Sequence, residues 1–267
     1  MEYRTTPGRL EIGKFSLYYE RTGVGPPLAF LHGAGGNHLS WWQQVPYFMR
    51  WHECITLDHR GFGLSPDPDD LFVQAHPSDL ARLLDHLKID RVVLIGQSMG
   101  GWTIVGCAME HPDRVAAMVM ADTPGGLLPL EVRPDQPRRP LTMDATAPLG
   151  SLPTYAKDYF ERRHELAFLY DELRILGARP PADALRRIAA MRPDPSLVRE
   201  RLRMPVLCLA GEEDTLIPPA MMKEVVKVLP NARLRTVPHC GHSIYFEHPD
   251  AFNQLVRDFL LDIGYGG

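Results

Sequence analysis

The stretch Gly96-Gln97-Ser98-Met99-Gly100-Gly101 decides the fold, because it sets a serine between a strand-like run and a helix-like segment. The run before it, residues 91–95, has the apolar composition of a short buried strand, and residues 102–110 are typical of a helix. A G-x-S-x-G pattern at a strand-to-helix turn exposes the serine hydroxyl to a base. The flanking glycines suit a turn too tight for side chains. We therefore predict Ser98 as a nucleophile; the alternative is a glycine-rich turn with an incidental serine.

The composition excludes several classes of protein. The chain has 267 residues, of which 45% are hydrophobic, enough for one large domain or one domain with an insertion. Its formal net charge is −4 and it has no basic cluster, which argues against a nucleic-acid partner. No apolar run approaches the roughly 18 residues of a membrane span, and residues 1–7 lack the apolar region of a signal peptide. We expect a small-molecule partner and no membrane association; the oligomeric state stays open.

The cysteines and the search for metal or cofactor motifs give further expectations. Cys54, Cys107, Cys208 and Cys240 are widely spaced, with no C-x-x-C pair, and three of them lie in predicted strands or a helix. We expect reduced thiols and a cytoplasmic protein. No H-E-x-x-H motif or paired Cys/His spacing occurs, so no metal site is predicted. Ser98 replaces the central glycine of a dinucleotide-binding turn, so no cofactor is predicted either.

Strand-like and helix-like segments alternate along most of the chain. A hairpin is predicted over residues 9–22, with Gly13-Lys14 at its turn. Strands are predicted at 27–31, 53–57, 91–95, 115–120, 205–210 and 232–237, of which 27–31, 91–95 and 115–120 have the apolar composition of buried strands. Helices are predicted at 38–49, 78–87 with Ser78 as its N-cap, 102–110, 218–228 and 249–263. This alternation predicts an α/β protein with a mostly parallel sheet covered by helices on both faces.

A segment of different character interrupts the alternation at residues 124–203. Prolines cluster in its first part, 124–153. Apolar residues then recur at the spacing of an amphipathic helix, at Tyr155, Tyr159, Leu166, Leu169, Leu173 and Leu176. Two more short helices are predicted at 182–191 and 196–202. We therefore predict a core made of residues 1–123 and 204–267, with a helical insertion between its two parts.

Polar loops follow the predicted strands, at the carboxyl ends where α/β proteins collect reactive groups. The serine needs a general base, and of the eleven histidines, His239 and His242 follow the last strand. The base needs an orienting carboxylate, and residues 212–214, Glu-Glu-Asp, follow the preceding strand. Asp122, at the end of another strand, is a rival for that role.

Taken together, these loops resemble those of the α/β-hydrolases in the lidded esterase, lactonase and C–C hydrolase group. The resemblance rests on residues 32–36, 58–65, 96–101, 211–214 and 241–242, and it covers nearly all of the chain outside 124–203. It implies an α/β-hydrolase fold, a mostly parallel doubly wound sheet with 124–203 as an inserted helical lid. It also implies a catalytic triad of Ser98, Asp214 as the acid and His242 as the base.

The same resemblance implies how the rest of the site is built. The backbone N–H groups of Ala34 and Met99 would form the oxyanion hole, which stabilises a developing negative charge. Residues expected in a substrate pocket are Trp41, Trp42, Tyr155, Tyr159 and Leu166. For the two tryptophans, packing into the core is an equally open interpretation.

Other polar positions have structural interpretations. The loop at 58–65, with its glycines and Arg60, is predicted to shape the site rather than to react. His38 is predicted to be exposed. Glu247 and Pro249 are predicted to begin the last helix, as an N-terminal charge and a helix start.

These features predict a serine hydrolase that cleaves a small, fairly apolar carboxylic ester or lactone through an acyl-enzyme. One alternative is C–C bond hydrolysis of a vinylogous diketone, but relatives with that activity tend to have Asn in place of Gln97 and Gly-Pro-Gly in place of residues 34–36. Serine at position 98 argues against haloalkane dehalogenase and epoxide hydrolase chemistry, in which a carboxylate attacks. A second alternative is a binding or signalling protein that has kept the fold and the triad.

Overall fold

An eight-stranded sheet forms the centre of the molecule in the computed structural model, which describes residues 4–128, 154–176 and 181–266. The strands are β1 (Thr5–Ile12), β2 (Phe15–Thr22), β3 (Pro27–Leu31), β4 (Glu53–Leu57), β5 (Val92–Gln97), β6 (Val115–Ala121), β7 (Val206–Gly211) and β8 (Ala232–Val237). The expectations for residues 129–153 and 177–180, including most of the proline-rich segment, lie outside the described residues.

The order of the strands is β1-β2-β4-β3-β5-β6-β7-β8. β1 and β2 form the predicted antiparallel hairpin, and β2 pairs antiparallel with β4. The pairs that follow, from β4–β3 to β7–β8, are all parallel. Every residue of β5, β6 and β7 is buried, as parallel strands covered on both faces should be. The prediction of a mostly parallel, doubly wound α/β sheet is confirmed.

Helices connect the strands and cover both faces of the sheet. They are α1 (Val45–Phe48), α2 (His76–His86), α3 (Met99–Glu110), α4 (Tyr159–Arg162), α5 (His164–Ile175), α6 (Ala184–Ala190), α7 (Pro195–Arg201), α8 (Pro219–Val228), α9 (Ile244–Glu247) and α10 (Pro249–Asp262). Among the described residues, no helix has the length and apolar character needed to cross a bilayer.

The core consists of two main layers, one on each face of the sheet. Successive side chains of a strand point to opposite faces, so Ala29 and Leu31 of β3 join one layer while Leu28 and Phe30 join the other. The second layer also contains Tyr155, Tyr159 and Ala167 from the inserted segment. The inserted helices α4 and α5 are therefore packed onto the same face of the sheet as the C-terminal helices α9 and α10.

Two predictions about helices differ from the structure. The predicted helix over 38–49 is a 3₁₀ turn, His38–Trp41, followed by the short α1. Pro46 has no N–H group to hydrogen-bond an earlier turn, so a continuous helix cannot pass through it. The prediction of Ser78 as an N-cap was wrong, because α2 begins at His76 and the Ser78 hydroxyl donates to the Ala75 carbonyl at 2.9 Å.

The amphipathic helix predicted from residue 155 onward is interrupted. α4 ends at Arg162, and Arg163, with φ −142° and ψ 54°, leaves the helical region before α5 begins. The apolar spacing predicts which residues share a face of a helix, but it cannot reveal a single residue whose backbone leaves the helical conformation. The first helix still buries Tyr159, whose ring stacks on that of Tyr155, before the helix, with 5.3 Å between the ring centroids, and α5 buries Ala167.

Candidate active site

The turn that carries Ser98 is strained and closely packed. Ser98 has φ 47° and ψ −119°, a conformation that L-residues rarely adopt, and α3 begins at the next residue. A Cβ atom on Gly96 would lie 2.6 Å from the Gly100 carbonyl oxygen, and one on Gly100 would overlap the carbonyl oxygen of Leu31. Both positions therefore require glycine, as the sequence pattern predicted. The turn holds the serine hydroxyl at the carboxyl end of β5.

A chain of hydrogen bonds joins three side chains from three strand ends. His242 Nδ1–H donates to Asp214 Oδ2 at 2.8 Å. This bond assigns the ring proton to Nδ1 and leaves Nε2 as an acceptor for the Ser98 hydroxyl, 2.9 Å away. The other oxygen of Asp214, Oδ1, accepts from the backbone N–H groups of Leu216 at 2.7 Å and Ile217 at 2.9 Å. The carboxylate is therefore held in one orientation behind the imidazole.

The surroundings of His242 favour a charged imidazolium. Burial opposes the charged form, but the Asp214 carboxylate attracts it and accepts its hydrogen bond, and on balance the pKa of His242 is raised. Asp122 and Glu247 add negative charge nearby and act in the same direction. A ring that accepts a proton readily, with its other nitrogen fixed by a carboxylate, has the properties of a general base.

The loop after β3 brings backbone groups to the same point. A Cβ on Gly33 would lie 3.1 Å from Cβ of Ser98, so this loop packs directly against the serine. The N–H groups of Ala34 and Met99 donate no hydrogen bond to the rest of the described chain. Met99 is the first residue of α3, where backbone N–H groups have no partner within the helix. Two backbone donors are thus available beside the hydroxyl of Ser98.

The other candidates for the acid and the base make different contacts. Asp122 is buried and accepts from the backbone N–H groups of Gly211 at 3.1 Å and Ile244 at 3.4 Å, not from an imidazole. Burial and the nearby Asp214 raise the pKa of Asp122 well above its ordinary value. His239 is 81% exposed and lies 3.5 Å from Glu213. Neither Asp122 nor His239 contacts the serine.

Two residues that sequence reasoning assigned no part in the site hold the loop that carries His242. Gln97, next to the serine, donates from Nε2 to the His242 carbonyl at 2.8 Å. Glu247 Oε1 accepts from the N–H of Gly241 at 3.0 Å and of Ser243 at 3.4 Å, on either side of the histidine. The side-chain contacts of both residues therefore fix the backbone around His242.

Glu247 also joins this loop to the inserted segment, because its Oε2 accepts from the N–H of Ala156 at 2.8 Å. The prediction that Glu247 begins the last helix was wrong: it ends α9, is buried, and directs its carboxylate at three backbone donors. Burial raises the pKa of Glu247 to about 7, although the three N–H donors oppose that change. An acidic residue five positions after the histidine was a usable signal, but its partners are backbone atoms, which no side-chain pattern reveals.

The 58–65 loop is held by hydrogen bonds to the buried carboxylate of Asp58. Asp58 Oδ1 accepts from the backbone N–H of His38 at 2.6 Å and its ring Nδ1 at 2.8 Å, while Oδ2 accepts from Leu64 N–H at 2.7 Å. The expectation that His38 is exposed was wrong, since its side chain is only 12% exposed. Arg60 makes two 2.8 Å hydrogen bonds to Asp79 of α2. These contacts fix the loop against the sheet edge.

A small, partly open cavity adjoins the serine turn. Its lining residues are Gly33, Ala34, Gly36, Ser40, Gln97, Tyr170, Leu173, Arg174, Tyr245 and Phe246. The residues expected in a pocket are elsewhere: Trp41 is fully buried against Phe30 and Tyr245, and Trp42 is 40% exposed. Tyr155, Tyr159 and Leu166 belong to or pack against the core layer that includes α9 and α10. Of the predicted positions around the site, Ala34 is one that lines this cavity.

The profile of the alpha/beta hydrolase family matches residues 28–255, so the chain belongs to this family. Three similar proteins illustrate the range of activities within it. The chain is 28% identical to a 2-hydroxy-6-oxo-2,4-heptadienoate hydrolase of Pseudomonas putida, over 89% of this chain and 90% of the other. It superimposes on Est816, described as an N-acyl homoserine lactone degrading enzyme, with a TM-score of 0.80 and 26% identity, over 94% and 100% of the two chains.

The third, a bromoperoxidase from Bacillus anthracis, has a TM-score of 0.73 at 23% identity over 96% of this chain and 99% of the other, and shows the fold alone. These three names describe different reactions on small molecules. Membership of the family therefore establishes the fold and a hydrolase superfamily, while the choice of substrate must be argued from the residues of this chain.

Proposed function

We propose that the protein is a serine hydrolase that cleaves a small carboxylic ester or lactone through an acyl-enzyme. The observation that carries this proposal is the hydrogen-bonded chain from Ser98 Oγ through His242 to Asp214, at 2.9 and 2.8 Å. Distances of this kind are those required between a nucleophile, its base and the group that orients the base. The two backbone donors beside the serine support the same chemistry.

The proposed reaction uses each of these groups in turn. Ser98 Oγ attacks the carbonyl carbon while His242 Nε2 takes the hydroxyl proton, and Asp214 stabilises the imidazolium. The N–H groups of Ala34 and Met99 bind the oxyanion of the tetrahedral intermediate. The imidazolium then gives its proton to the leaving alcohol as the carbon–oxygen bond breaks. Water, deprotonated by His242, attacks the acyl-enzyme and releases the carboxylic acid and the free serine.

The inserted segment is proposed to act as a lid over this site. Its helix α5 contributes Tyr170, Leu173 and Arg174 to the cavity wall, so a substrate in the cavity would lie between the sheet edge and this helix. The Tyr170 hydroxyl is 3.0 Å from Ser243 Oγ, next to His242. Contacts of this kind support a role for residues 124–203 in selecting the substrate and excluding water.

Replacing the proposed nucleophile tests the proposal. We expect Ser98→Ala to lower p-nitrophenyl acetate cleavage by at least about 10³-fold, because in the described part of the chain the Ser98 hydroxyl is the one that hydrogen-bonds to His242 Nε2. Ser78→Ala, an exposed serine on α2, is the matched control and should keep wild-type activity. A fluorophosphonate probe should label the wild type on the peptide containing Ser98 and should not label Ser98→Ala.

Three outcomes separate the competing functions. Activity near that of the wild type in Ser98→Ala contradicts the proposal. Cleavage of a vinylogous diketone in preference to every ester and lactone in a panel supports C–C bond hydrolysis, the activity that the Pseudomonas putida relative is named for. Ligand binding with negligible turnover by a correctly folded wild type supports a binding or signalling protein instead.

A further inference from the structure

A cationic side chain in the cavity has no hydrogen-bond partner among the described residues. Arg174 is the charged residue among the described residues that line the cavity, and its side chain is only 19% exposed. Its Nη1 lies 3.5 Å from Asp171 Oδ1, and it donates no hydrogen bond within the described part of the chain. A guanidinium group carries five N–H donors in a fixed planar arrangement that suits two-point binding of a carboxylate.

Two other sheltered arginines show what this chain does with a structural guanidinium. Arg60 is held by two 2.8 Å hydrogen bonds to Asp79, and Arg187, 18% exposed, contacts both Asp70 and Asp183. Each of them is saturated by carboxylates of the protein itself. Arg174 is as sheltered as Arg187, but within the described ranges its one polar contact is the long one to Asp171, which leaves donors for a ligand.

The contact to Asp171 does not neutralise Arg174 completely. Asp171 is buried, and its Oδ1 also accepts the Tyr155 hydroxyl at 3.3 Å, so the same oxygen serves two groups. The distance of 3.5 Å exceeds that of a charge-assisted hydrogen bond. A carboxylate from a ligand can therefore form the shorter, two-point contact that the guanidinium lacks within the protein.

The rest of the cavity suits a short chain that ends in an anion. Leu173 and Phe246 provide apolar walls, while the ring of Tyr170 and the hydroxyl-bearing residues Ser40 and Tyr245 line the same space. Ala34, whose N–H is proposed to bind the oxyanion, also lines it. The cavity lining thus includes both Arg174 and the Gly33 loop that packs against Ser98.

We propose that Arg174 binds a carboxylate of the substrate, so that the protein acts on esters or lactones that carry a second, anionic group separate from the bond that is cleaved. The substrate class in this inference rests on the proposed function, whereas the binding of an anion by Arg174 does not require that reaction. It replaces the expectation of a fairly apolar substrate with a more specific one. The pair Arg174 and Asp171 would open on binding, the guanidinium turning its donors to the ligand.

A matched pair of substrates tests the inference. Monomethyl glutarate and the methyl ester of glutaric acid monoamide have nearly the same size and differ in the charge of the distal group. We expect the wild type to prefer the acid by about 10- to 100-fold in kcat/KM, chiefly through KM, as a charge-assisted contact predicts. Arg174→Gln should reduce this ratio toward one, and Arg174→Lys should retain part of it because the charge remains.

Arg186→Gln is the control, since Arg186 is a 79% exposed arginine on the inserted helix α6 and does not line the cavity. It should keep the wild-type ratio. A wild-type ratio near one, or an Arg174→Gln variant with the wild-type ratio, overturns the inference. If Arg174→Gln lowers both substrates equally and leaves the ratio unchanged, Arg174 has only a packing role.

A binding measurement separates this inference from the proposed reaction. Glutarate should raise the melting temperature of the wild type and of Ser98→Ala, because the anion site does not need the nucleophile. It should have no such effect on Arg174→Gln. Stabilisation of Ser98→Ala by glutarate with no esterase activity in the wild type would support the anion site and reject the reaction. Equal stabilisation of the wild type and Arg174→Gln would reject the anion site.

Discussion

At the scale of single residues, the candidate site depends on how each group fixes the next. The orientation of Asp214 is set by two backbone N–H groups that both donate to Oδ1, which leaves Oδ2 for His242. The imidazole then has one possible proton arrangement, with Nδ1 as donor and Nε2 as acceptor. The serine hydroxyl can donate only to a ring in that arrangement.

This arrangement makes the effect of Asp214→Asn predictable. The amide oxygen should keep the position of Oδ1, because Leu216 and Ile217 donate there, and the amide N–H₂ must then face His242. The ring would accept at Nδ1 and carry its proton on Nε2, where it cannot act as a base. We expect kcat for p-nitrophenyl acetate to fall by about 10⁴-fold with the fold intact. Glu212→Gln, on the exposed side of the same loop, is the control; an equal loss in both variants contradicts the assignment.

The sequence pointed to the three hydrogen-bonded side chains more directly than to the residues that hold the loops around them. Ser98, Asp214 and His242 each follow a predicted strand, so parallel topology alone places them at one edge. Gln97 and Glu247 act on backbone atoms of the histidine loop, and a backbone atom has no sequence signature. Trp41 carries an aromatic ring near the site in sequence, but its burial follows from packing against residues of α9 and α10 that are distant along the chain.

At the scale of secondary-structure elements, strands were easier to predict than helices. The bounds of β3, β4 and β8 match the predicted runs. For β3 and β4 the reason is that a buried strand between two others is a short apolar segment, whereas β8 at the sheet edge is partly exposed. The helices over 38–49 and 155–176 were predicted too long, since Pro46 and the backbone conformation of Arg163 interrupt them. Helical periodicity describes a face, whereas the ends of a helix depend on single residues and on tertiary contacts.

Glu247 shows how elements are coupled through one side chain. Its carboxylate joins the end of α9, the loop around His242 and the inserted segment at Ala156. A carboxylate offers acceptors on both oxygens, whereas an amide offers an acceptor on one side and a donor on the other. A glutamine at this position would therefore face at least one backbone N–H group with its own N–H₂.

We expect Glu247→Gln to lower both stability and activity. One or more of the buried N–H groups would lose its acceptor, at a cost of about 1–3 kcal/mol in the free energy of unfolding. Loosening the loop of His242 should also reduce kcat for p-nitrophenyl acetate by about 10-fold or more, since positioning errors are costly in catalysis. The control is Glu224→Gln, an exposed glutamate on α8. Loss of stability in Glu247→Gln without any change in kcat at a temperature well below unfolding would mean that Glu247 does not position the histidine.

At the scale of the whole molecule, the parallel strands bring the polar loops to one edge of the sheet. Several histidine side chains are buried beneath these loops. His32, His59 and His76 lie in contact beneath the site, with ring centroids 4.4 Å apart for each of the pairs His32–His59 and His59–His76. His32 donates from Nδ1 to the Gly33 carbonyl at 2.8 Å and accepts at Nε2 from His59 N–H at 3.0 Å. His76 donates from Nε2 to the Arg60 carbonyl at 3.0 Å. His32, which donates from one ring nitrogen and accepts at the other, must therefore be neutral in the folded protein, and burial favours the neutral form of His59 and His76.

These three histidines should make the protein sensitive to acid. Burial lowers the pKa of His32 to about 4 and that of His76 to about 3, and the pKa of His59 is also well below 6.5. Because the unfolded chain binds these protons more readily, their contribution to stability is present above pH 6.5 and is lost as the pH falls below it. His32 and His76 should each lower the free energy of unfolding by roughly 2 kcal/mol at pH 5, and His59 acts in the same direction, against a total stability of about 5–15 kcal/mol for a typical domain. His38 and His242, whose pKa values are raised, are already protonated in both states there and add no further loss.

Urea unfolding at pH 7, 6 and 5 measures this effect, and His76→Gln isolates one proton of it. Below pH 6 each histidine that stays neutral in the folded protein should lower the free energy of unfolding by about 1.4 kcal/mol per pH unit, while Glu247 and Asp122, whose pKa values are raised, oppose this change. Glutamine can still donate to the Arg60 carbonyl but does not titrate, so the slope of His76→Gln should be smaller by about 1.4 kcal/mol per pH unit, even if its stability at pH 7 is lower. His164→Gln, which changes an exposed histidine on α5, should keep the wild-type slope. An unchanged slope in His76→Gln would mean that this ring already takes up a proton in the folded state, and the closed, neutral packing of the three rings beneath the candidate site would have to be abandoned.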